Sequence, residues 1–307
     1  MWLPMEYLKH IKPGLKPGIY FDLPEELYFK DSSISRSNLM DLLNGDLAFW
    51  YNSWLNPDKR ERDKTKEMEY GSMIDCLLFT PDKFDEKYVV TTGFGLDNRK
   101  AVTFMDKNNA QASINALFEV PYTAEVFTGG YPQVTVVWEE EGTGVLMSAR
   151  IDYLKEYIAV DYKTTRSRMK ESLKYDVPKY GLDLQAAHYT LGILTARKAL
   201  RDGKEFHIQG VKGKTHKKWL EEFVLSDEMC FRFVFQEKEH PFMFEVYSLD
   251  ELIENALLIR MAAIEKYINM LTKYGTKKPP AADGTVKGFS ISDMPKYLYT
   301  RGIDNIN

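Results

Sequence analysis

The strongest alternation of apolar and polar positions lies in the middle of the chain. LMSARIDYL (146–154) and YIAVDYKT (157–164) are rich in β-branched and aromatic residues. Only Lys155 and Glu156 separate Leu154 from Tyr157, a spacing that predicts a tight antiparallel hairpin. The run before it, YPQVTVVWEEEGTGV, reads as strand and Gly-rich turn, which extends the hairpin to a three-stranded meander from Tyr131 to Thr164. TTRSRMKESLKYDVPKY, residues 164 to 180, is basic and turn-rich. Helical periodicity then predicts a helix from Leu182 to Leu200, where Ala186, Ala187 and Gly192 permit close packing on a sheet. A strand from Phe206 leads into a basic loop ending near Trp219. CFRFVFQEKEHPFMFEVYSL reads as two alternating strands turning near Glu239 to Pro241. A last helix, Asp250 to Tyr274, puts Leu252, Ala256, Ile259, Ala263, Tyr267 and Leu271 on a core face.

The N-terminal part reads as mainly helical. A short strand and turn at 18–24 precede Ser35, an N-cap for a helix through Leu39, Leu42 and Leu43. A second helix carries Leu47, Phe49, Trp50, Tyr51 and Trp54, assigned to core packing, with base stacking as the alternative. Residues 57–67 read as a charged linker or helix start. TKEMEYGSMIDCLLFTP is a helix stopped by Pro81, with Met68, Met73, Leu77 and Leu78 on its apolar side. A strand near Tyr88 to Thr91, a helix from Asn108 to Phe118 and a turn at Gly129-Gly130 complete this part.

Composition narrows the class. The 307 residues are 44% apolar and 28% charged, as in a soluble globular protein. No apolar run reaches membrane-spanning length, and the N-terminus has no signal-type apolar stretch, so a cytoplasmic location is expected. Two cysteines, Cys76 and Cys230, fall short of a four-Cys zinc or iron-sulfur site. A net charge of −4 argues against indiscriminate coating of nucleic acid but allows a local basic channel.

The candidate chemistry sits on the hairpin. With Lys155 and Glu156 as the turn, Asp152 faces Ala159, and alternation puts Arg150, Asp152, Asp161 and Lys163 on one face. A one-residue slide sets Asp152 opposite Asp161, while a three-residue turn or a bulge separates them. Two carboxylates so close stay ionised together only with a cation, and all-oxygen ligation suits Mg²⁺ or Mn²⁺. A lysine beside the ion allows phosphodiester binding and hydrolysis. Asp-x-Lys also occurs at Asp85 and Asp202, so setting rather than the tripeptide distinguishes Asp161. Asp75 interrupts an apolar helix face one turn after Gly71. It is either a metal ligand or a surface carboxylate. Arg166, Arg168, Lys170 and Lys174 form either a phosphate contact or a solvated loop, and the Lys and His cluster of 206–219 is a second candidate.

Gly71-x-x-x-Asp75, Arg150-Ile-Asp152, Val160-Asp161-x-Lys163-Thr164-Thr165 and Gln185-Ala-Ala-His-Tyr189, in that order, resemble the PD-(D/E)xK nucleases. The likeness is to the RecB-like branch and the phage and prophage exonuclease VIII (RecE-type) catalytic domain. It extends to Ile34-Ser-x-Ser37-x-Leu39 and to Phe233-Val-Phe-Gln-Glu237. The resemblance implies an α/β fold with a mixed central sheet flanked by helices. It divides the chain into an extension (1–17), a nuclease domain (18–275, with its catalytic core at 131–275) and a tail (276–307). The implied activity is Mg²⁺-dependent, 5′-to-3′ digestion of linear double-stranded DNA, with Mn²⁺ able to substitute. The implied ligands are Asp152, Asp161 and the Tyr162 carbonyl, with Asp75 standing where many members carry His. Lys163 matches the lysine that orients water or stabilises the pentacovalent state, and Gln185 and Tyr189 match the pair lining the scissile phosphate. Arg150, Thr164, Thr165, Arg166, Arg168 and Lys170 are expected along the DNA. A homo-oligomeric ring and a single-strand annealing protein as partner are also implied. The rival readings are a structure- or site-specific endonuclease of the same fold and a DNA-end-binding protein with a degenerate site. Paired carboxylates also serve glycosidases, but the adjacent lysine and the basic segments suit phosphate better.

Overall fold

The computed structural model describes residues 5–10, 12, 14–59, 65–91, 99–210 and 212–282. The middle of the charged stretch 57–67 and the tail beyond residue 282 lie outside them. The strand Gly18–Tyr20 (β1) is followed by helices Glu25–Lys30 (α1), Arg36–Asn44 (α2) and Asp46–Asn52 (α3). Helix Lys66–Phe79 (α4) and the single turn Phe84–Lys87 (α5) lead to a two-stranded sheet, Tyr88–Val90 (β2) and Lys100–Val102 (β3). Helices Phe104–Glu119 (α6) and Pro121–Val126 (α7) come next. The meander is Tyr131–Glu139 (β4), Leu146–Leu154 (β5) and Ile158–Thr165 (β6). Then follow Lys170–Tyr180 (α8), Leu182–Arg201 (α9), His207–Gln209 (β7), Lys214–Leu225 (α10), Cys230–Glu237 (β8), Phe244–Tyr247 (β9) and Ile253–Tyr274 (α11).

Seven strands form one mixed sheet in the order β7-β1-β4-β5-β6-β8-β9, parallel at β1/β7 and β6/β8 and antiparallel elsewhere. Both faces are covered. Ala159, Phe231, Phe233 and Phe235 join the larger apolar cluster with α2, α3, α9 and α11, while Val160, Tyr162 and Val234 join a second cluster with α4, α6 and α7. That alternation is what a strand buried on both sides requires. Helix α9 lies against the sheet at Gly192, where a Cβ would sit 2.5 Å from the Trp138 ring. Only glycine allows that approach. At α2, Ser35 accepts from the Asn38 amide and the Asn38 side chain accepts from the Ser35 amide, a reciprocal cap contributing about 1 kcal/mol. The expected α/β fold, meander, Ser35 cap and long helices are all present.

Several expectations are corrected. The segment after β6, read as turn-rich, contains α8, because Leu173 and Val177, four apart, bury one stripe and Pro178 falls in the last turn before a left-handed Gly181. The basic loop before Trp219 is the first half of α10, whose buried Trp219 and Phe223 stack with ring centroids 5.1 Å apart. Helix α6 begins four residues earlier than its apolar pattern suggests, behind a Thr103 cap. Met68 and Leu252 are exposed rather than core, each lying in the first turns of its helical segment. Of the aromatics around α3, Phe49 is buried and Tyr51 is exposed, so the core assignment holds for only part of the group. No helix among the described residues is long and apolar enough to cross a membrane.

Candidate nuclease centre

The hairpin closes one residue later than its first-choice register. Lys155 donates its amide to the Ile158 carbonyl at 2.8 Å, and Leu154 pairs with Ala159 and Tyr153 with Val160, so Glu156 and Tyr157 form the turn. Continued by one step, this register would set Asp152 opposite Asp161, the slid alternative. The paired ladder ends just before that step. Beyond it, β6 pairs along all its length with β8, and Asp152 turns its carboxylate into the opening, where Oδ2 accepts the Tyr162 amide at 3.3 Å. Ile151 and Leu154 both belong to the larger cluster and Tyr153 to the smaller, so side-chain alternation slips at Asp152. The splayed strands thereby create a gap lined by polar groups within an apolar sheet.

Asp161 faces α9. Its Oδ2 accepts from the Gln185 amide nitrogen. Its Oδ1 is buried, without an aligned hydrogen-bond donor, in ion-pair contact with Lys163. The Lys163 ammonium also lies 4.0 Å from Asp152 Oδ2. Asp161 keeps 2% of its side-chain surface, Asp152 19% and Lys163 33%, so the cluster opens to solvent through the lysine. Burial, and then the Asp161 charge, hold the Asp152 carboxyl well above the usual carboxylate range; Lys163 and the Tyr162 amide oppose this. Burial alone would lower the Lys163 pKa, but the two carboxylates outweigh it and raise it. Tyr189 is buried near both carboxylates, and its hydroxyl pKa is driven up chiefly by desolvation.

Not every expected residue joins this group. Asp75 is half-buried on α4 and adds to the field at Asp152 and Lys163, yet no three His, Cys, Asp or Glu side chains among the described residues gather as a metal site. The expected three-carboxylate set is therefore not assembled, and the Lys163 ammonium stands between Asp152 and Asp161. Arg150 departs from its expected DNA contact: its guanidinium donates to Gln133 (2.9 Å), the Leu23 carbonyl (3.0 Å) and Thr135 (3.2 Å), stitching β5 to β4 and the segment after β1. Arg168 is likewise engaged, with Glu237 at 3.2 Å and Glu245 at 3.6 Å. Thr165 Oγ1 donates to the Ser167 carbonyl, shaping the loop. Thr164 approaches Gly71 of α4, while Arg166 and Lys170 are exposed. The Lys and His cluster of 206–219 lies with the edge strand β7 and on α10, and β7 is four strand spacings, about 19 Å, from β6.

Arg36 was not anticipated. From the first residue of α2 it donates to Gln185 Oε1 at 3.3 Å and to the Tyr180 carbonyl at 3.2 Å, fixing the amide that holds Asp161. It sits inside the Ile34-to-Leu39 stretch of the resemblance, the one signal that could have found it. Gln236 was also missed. Fully buried, it accepts from the Tyr162 hydroxyl at 2.8 Å and donates to the Ser113 and Phe242 carbonyls, both at 2.9 Å, anchoring the residue between Asp161 and Lys163.

The donors present suit a hard divalent cation. When both are ionised, the two adjacent carboxylates carry one more negative charge than Lys163 balances, and a buried oxygen of Asp161 lacks an aligned donor. Two protein carboxylates with the remaining positions left to water is how Mg²⁺ is commonly bound.

Three comparisons bear on this geometry. A family described as a PDDEXK-like domain of unknown function (DUF3799) matches residues 47–219. A crystal structure from Eubacterium rectale, of a protein provisionally named an exonuclease, superposes with a TM-score of 0.56 at 16% identity, covering 89% of this chain and 97% of its own. That likeness is one of fold. No curated protein matches the sequence. The family match spans more than half of the chain, from α3 through both carboxylate strands and α9 into α10, so the protein belongs to this family of PDDEXK-like domains.

Proposed function

We propose that the protein is a metal-dependent DNA exonuclease that hydrolyses phosphodiesters from the 5′ ends of linear double-stranded DNA, with Mg²⁺ as its ion and Mn²⁺ able to substitute. The observation that carries the hydrolytic part is the carboxylate surplus at Asp152 and Asp161, held beside one ammonium where β5 and β6 part. Direction and duplex substrate rest on the exonuclease VIII resemblance, as do a ring-shaped homo-oligomer and an annealing partner. The name of the Eubacterium rectale protein points the same way.

In this reading Asp152, Asp161 and the Tyr162 carbonyl hold the cation, and Asp75 contributes negative charge from α4. When bound, the ion supplies charge neutralisation at the phosphate and lowers the pKa of water for attack. Lys163, partly exposed, meets the phosphate oxygen on which charge accumulates. Gln185 fixes the Asp161 carboxylate, and Arg36 fixes Gln185. Tyr189, protonated at neutral pH, remains a hydrogen-bond donor toward the phosphate. The surrounding apolar sheet limits water around these groups and strengthens each charge interaction.

The test is nucleotide release from linear duplex labelled at either end, with Mg²⁺, with EDTA, and with Asp161→Ala. Release from the 5′ end that needs the ion, vanishes in the variant and spares closed circles is the expected result. Cleavage of closed circles would replace the exonuclease by an endonuclease. Binding to DNA ends without release under any condition would leave an end-binding protein.

A further inference from the structure

Strand β6 crosses the carboxylate gap held along one edge. Among the described residues its ladder with β5 stops at the Tyr153 and Val160 pair, while its pairing with β8 runs from Ile158 to Thr165. A strand paired on one side can rotate about its own axis, and rotation here would swing Asp161 and Lys163 together. Tyr162, between them, sits where that matters. Its amide donates to Asp152 Oδ2 across the gap at 3.3 Å. In an extended strand the amide and carbonyl of one residue leave by the same edge, so the Tyr162 carbonyl opens toward the gap as well. The Asp161 side chain goes to the α9 face of the sheet, and the Tyr162 phenol goes to the other.

That phenol ends on Gln236, which is 1% exposed. The two hydrogens of the Gln236 amide go to two carbonyls, Ser113 on α6 and Phe242 in the turn between β8 and β9, both at 2.9 Å. Its oxygen is thereby committed to the Tyr162 hydroxyl, at 2.8 Å. Turning the amide over would set its oxygen against both carbonyls, so the orientation is fixed. One side chain of β8 thus ties the back of β6 to a helix and to a turn. Ala110, Leu117, Val160 and Val234 of the same cluster are apolar. A pair of apolar side chains of the same shape could fill such a place with little loss of stability. What a fully satisfied buried hydrogen-bond network adds is a single geometry.

Resting on the nuclease reading above, we propose that Gln236 is a positioning residue. Through the Tyr162 phenol it fixes the rotation of β6, and with it the Asp161 carboxylate and the Tyr162 carbonyl that would hold the divalent cation.

The experiment is Mn²⁺ binding by the full chain without DNA, followed by isothermal titration calorimetry, beside the melting temperature of each protein in EDTA. Tyr162→Phe and Gln236→Met are each expected to weaken Mn²⁺ binding by about ten-fold. Combining them should weaken it no further than the larger single loss, because the two act through one hydrogen bond. Leu117→Val, buried in the same cluster but outside this network, should lower the melting temperature and leave Mn²⁺ affinity within about two-fold of wild type. Wild-type affinity in both single variants, losses that add in the double variant, or an equal loss in Leu117→Val would overturn the positioning role while leaving the nuclease reading intact. Failure of the wild-type chain to bind Mn²⁺ would overturn both.

Discussion

Helix α9 touches two buried ionic clusters that resolve their charges in opposite ways. Around His188, Arg260 makes a two-pronged pair with Glu140, one prong at 2.6 Å, and its Nε donates to His188 Nδ1 at 3.1 Å. His188 Nε2 in turn meets the Ser148 carbonyl at 3.0 Å. One cation faces one anion, and the neutral imidazole joins them to the sheet. Three residues away on the same helix, Gln185 reaches Asp161, where two carboxylates share one ammonium and burial pushes the Asp152 pKa up. The first cluster is closed and balanced, as a structural site must be when charge is removed from water. The second, with both carboxyls ionised, holds more negative charge than its one ammonium balances, and the raised Asp152 pKa is the mark of that strain. Imbalance, rather than burial of charge, distinguishes the candidate site from the scaffold cluster in this molecule.

The largest effects should come from the unbalanced cluster, and on activity rather than folding. Lys163→Met or Asp152→Asn should lower cleavage by about a thousand-fold or more, measured as nucleotide release with Mg²⁺. Asp152→Asn removes a repelled carboxylate while keeping an acceptor for the Tyr162 amide, so the ion-free variant should melt above wild type. A variant that kept its activity, or melted lower in EDTA, would contradict the contrast. The balanced cluster should behave the other way. Arg260→Ala leaves Glu140 buried beside a neutral histidine and should cost about 3–5 kcal/mol in urea unfolding. A loss below about 1 kcal/mol would show that Glu140 escapes to water, for its side chain is 16% exposed.

The two clusters also differ in how protons act on them. Burial, with Arg260 adding to it, lowers the His188 pKa to about 3. The folded state thus keeps His188 neutral while the unfolded chain takes up a proton below about pH 6.5. His188 therefore contributes stability that is complete above that pH and is lost as pH falls toward 3, with a slope of about 1.4 kcal/mol per pH unit. Burial lowers the His216 pKa as well, so part of the slope between pH 6.5 and 5 should remain in His188→Gln and should shrink further when His216→Gln is added. An unchanged slope in His188→Gln would remove the imidazole from the account. Asp152 has the opposite sign: its raised folded pKa means that ionisation disfavours the fold, so its effect grows as pH rises above about 4.

These clusters also mark how far the sequence alone reaches. Asp152, Asp161 and Lys163 were legible because strand alternation and a short turn are local properties. The register was ambiguous by one residue, since Lys155, Glu156 and Tyr157 include no glycine or asparagine to select the turn. It is chosen by tertiary contacts, above all the β6 ladder with β8, more than sixty residues away. Long-range partners hid the roles of Arg36, Gln236, Arg260 and the diverted Arg150. Helices α8 and α10 were obscured because each buries a narrow stripe beneath a run of lysines.

Gly71 gives the smallest and most discriminating test, because it lies on α4 between the clustered residues and open space. A glycine inside a helix can mark a close approach by a backbone or a ligand. The structure leaves room instead, for among the described residues an added Cβ would meet only Thr164 Oγ1, at the ordinary contact distance of 3.6 Å. Within a helix, Gly→Ala at an unobstructed position gains about 0.5–1 kcal/mol by restricting the unfolded chain. Gly71→Ala should therefore raise the melting temperature of the protein by about one to two degrees. If cleavage is unchanged, the glycine has no role in admitting DNA. A more stable variant with a raised KM would place substrate in the space over Thr164, bringing α4 and Asp75 into the half-open side of the comparison and leaving the closed cluster untouched.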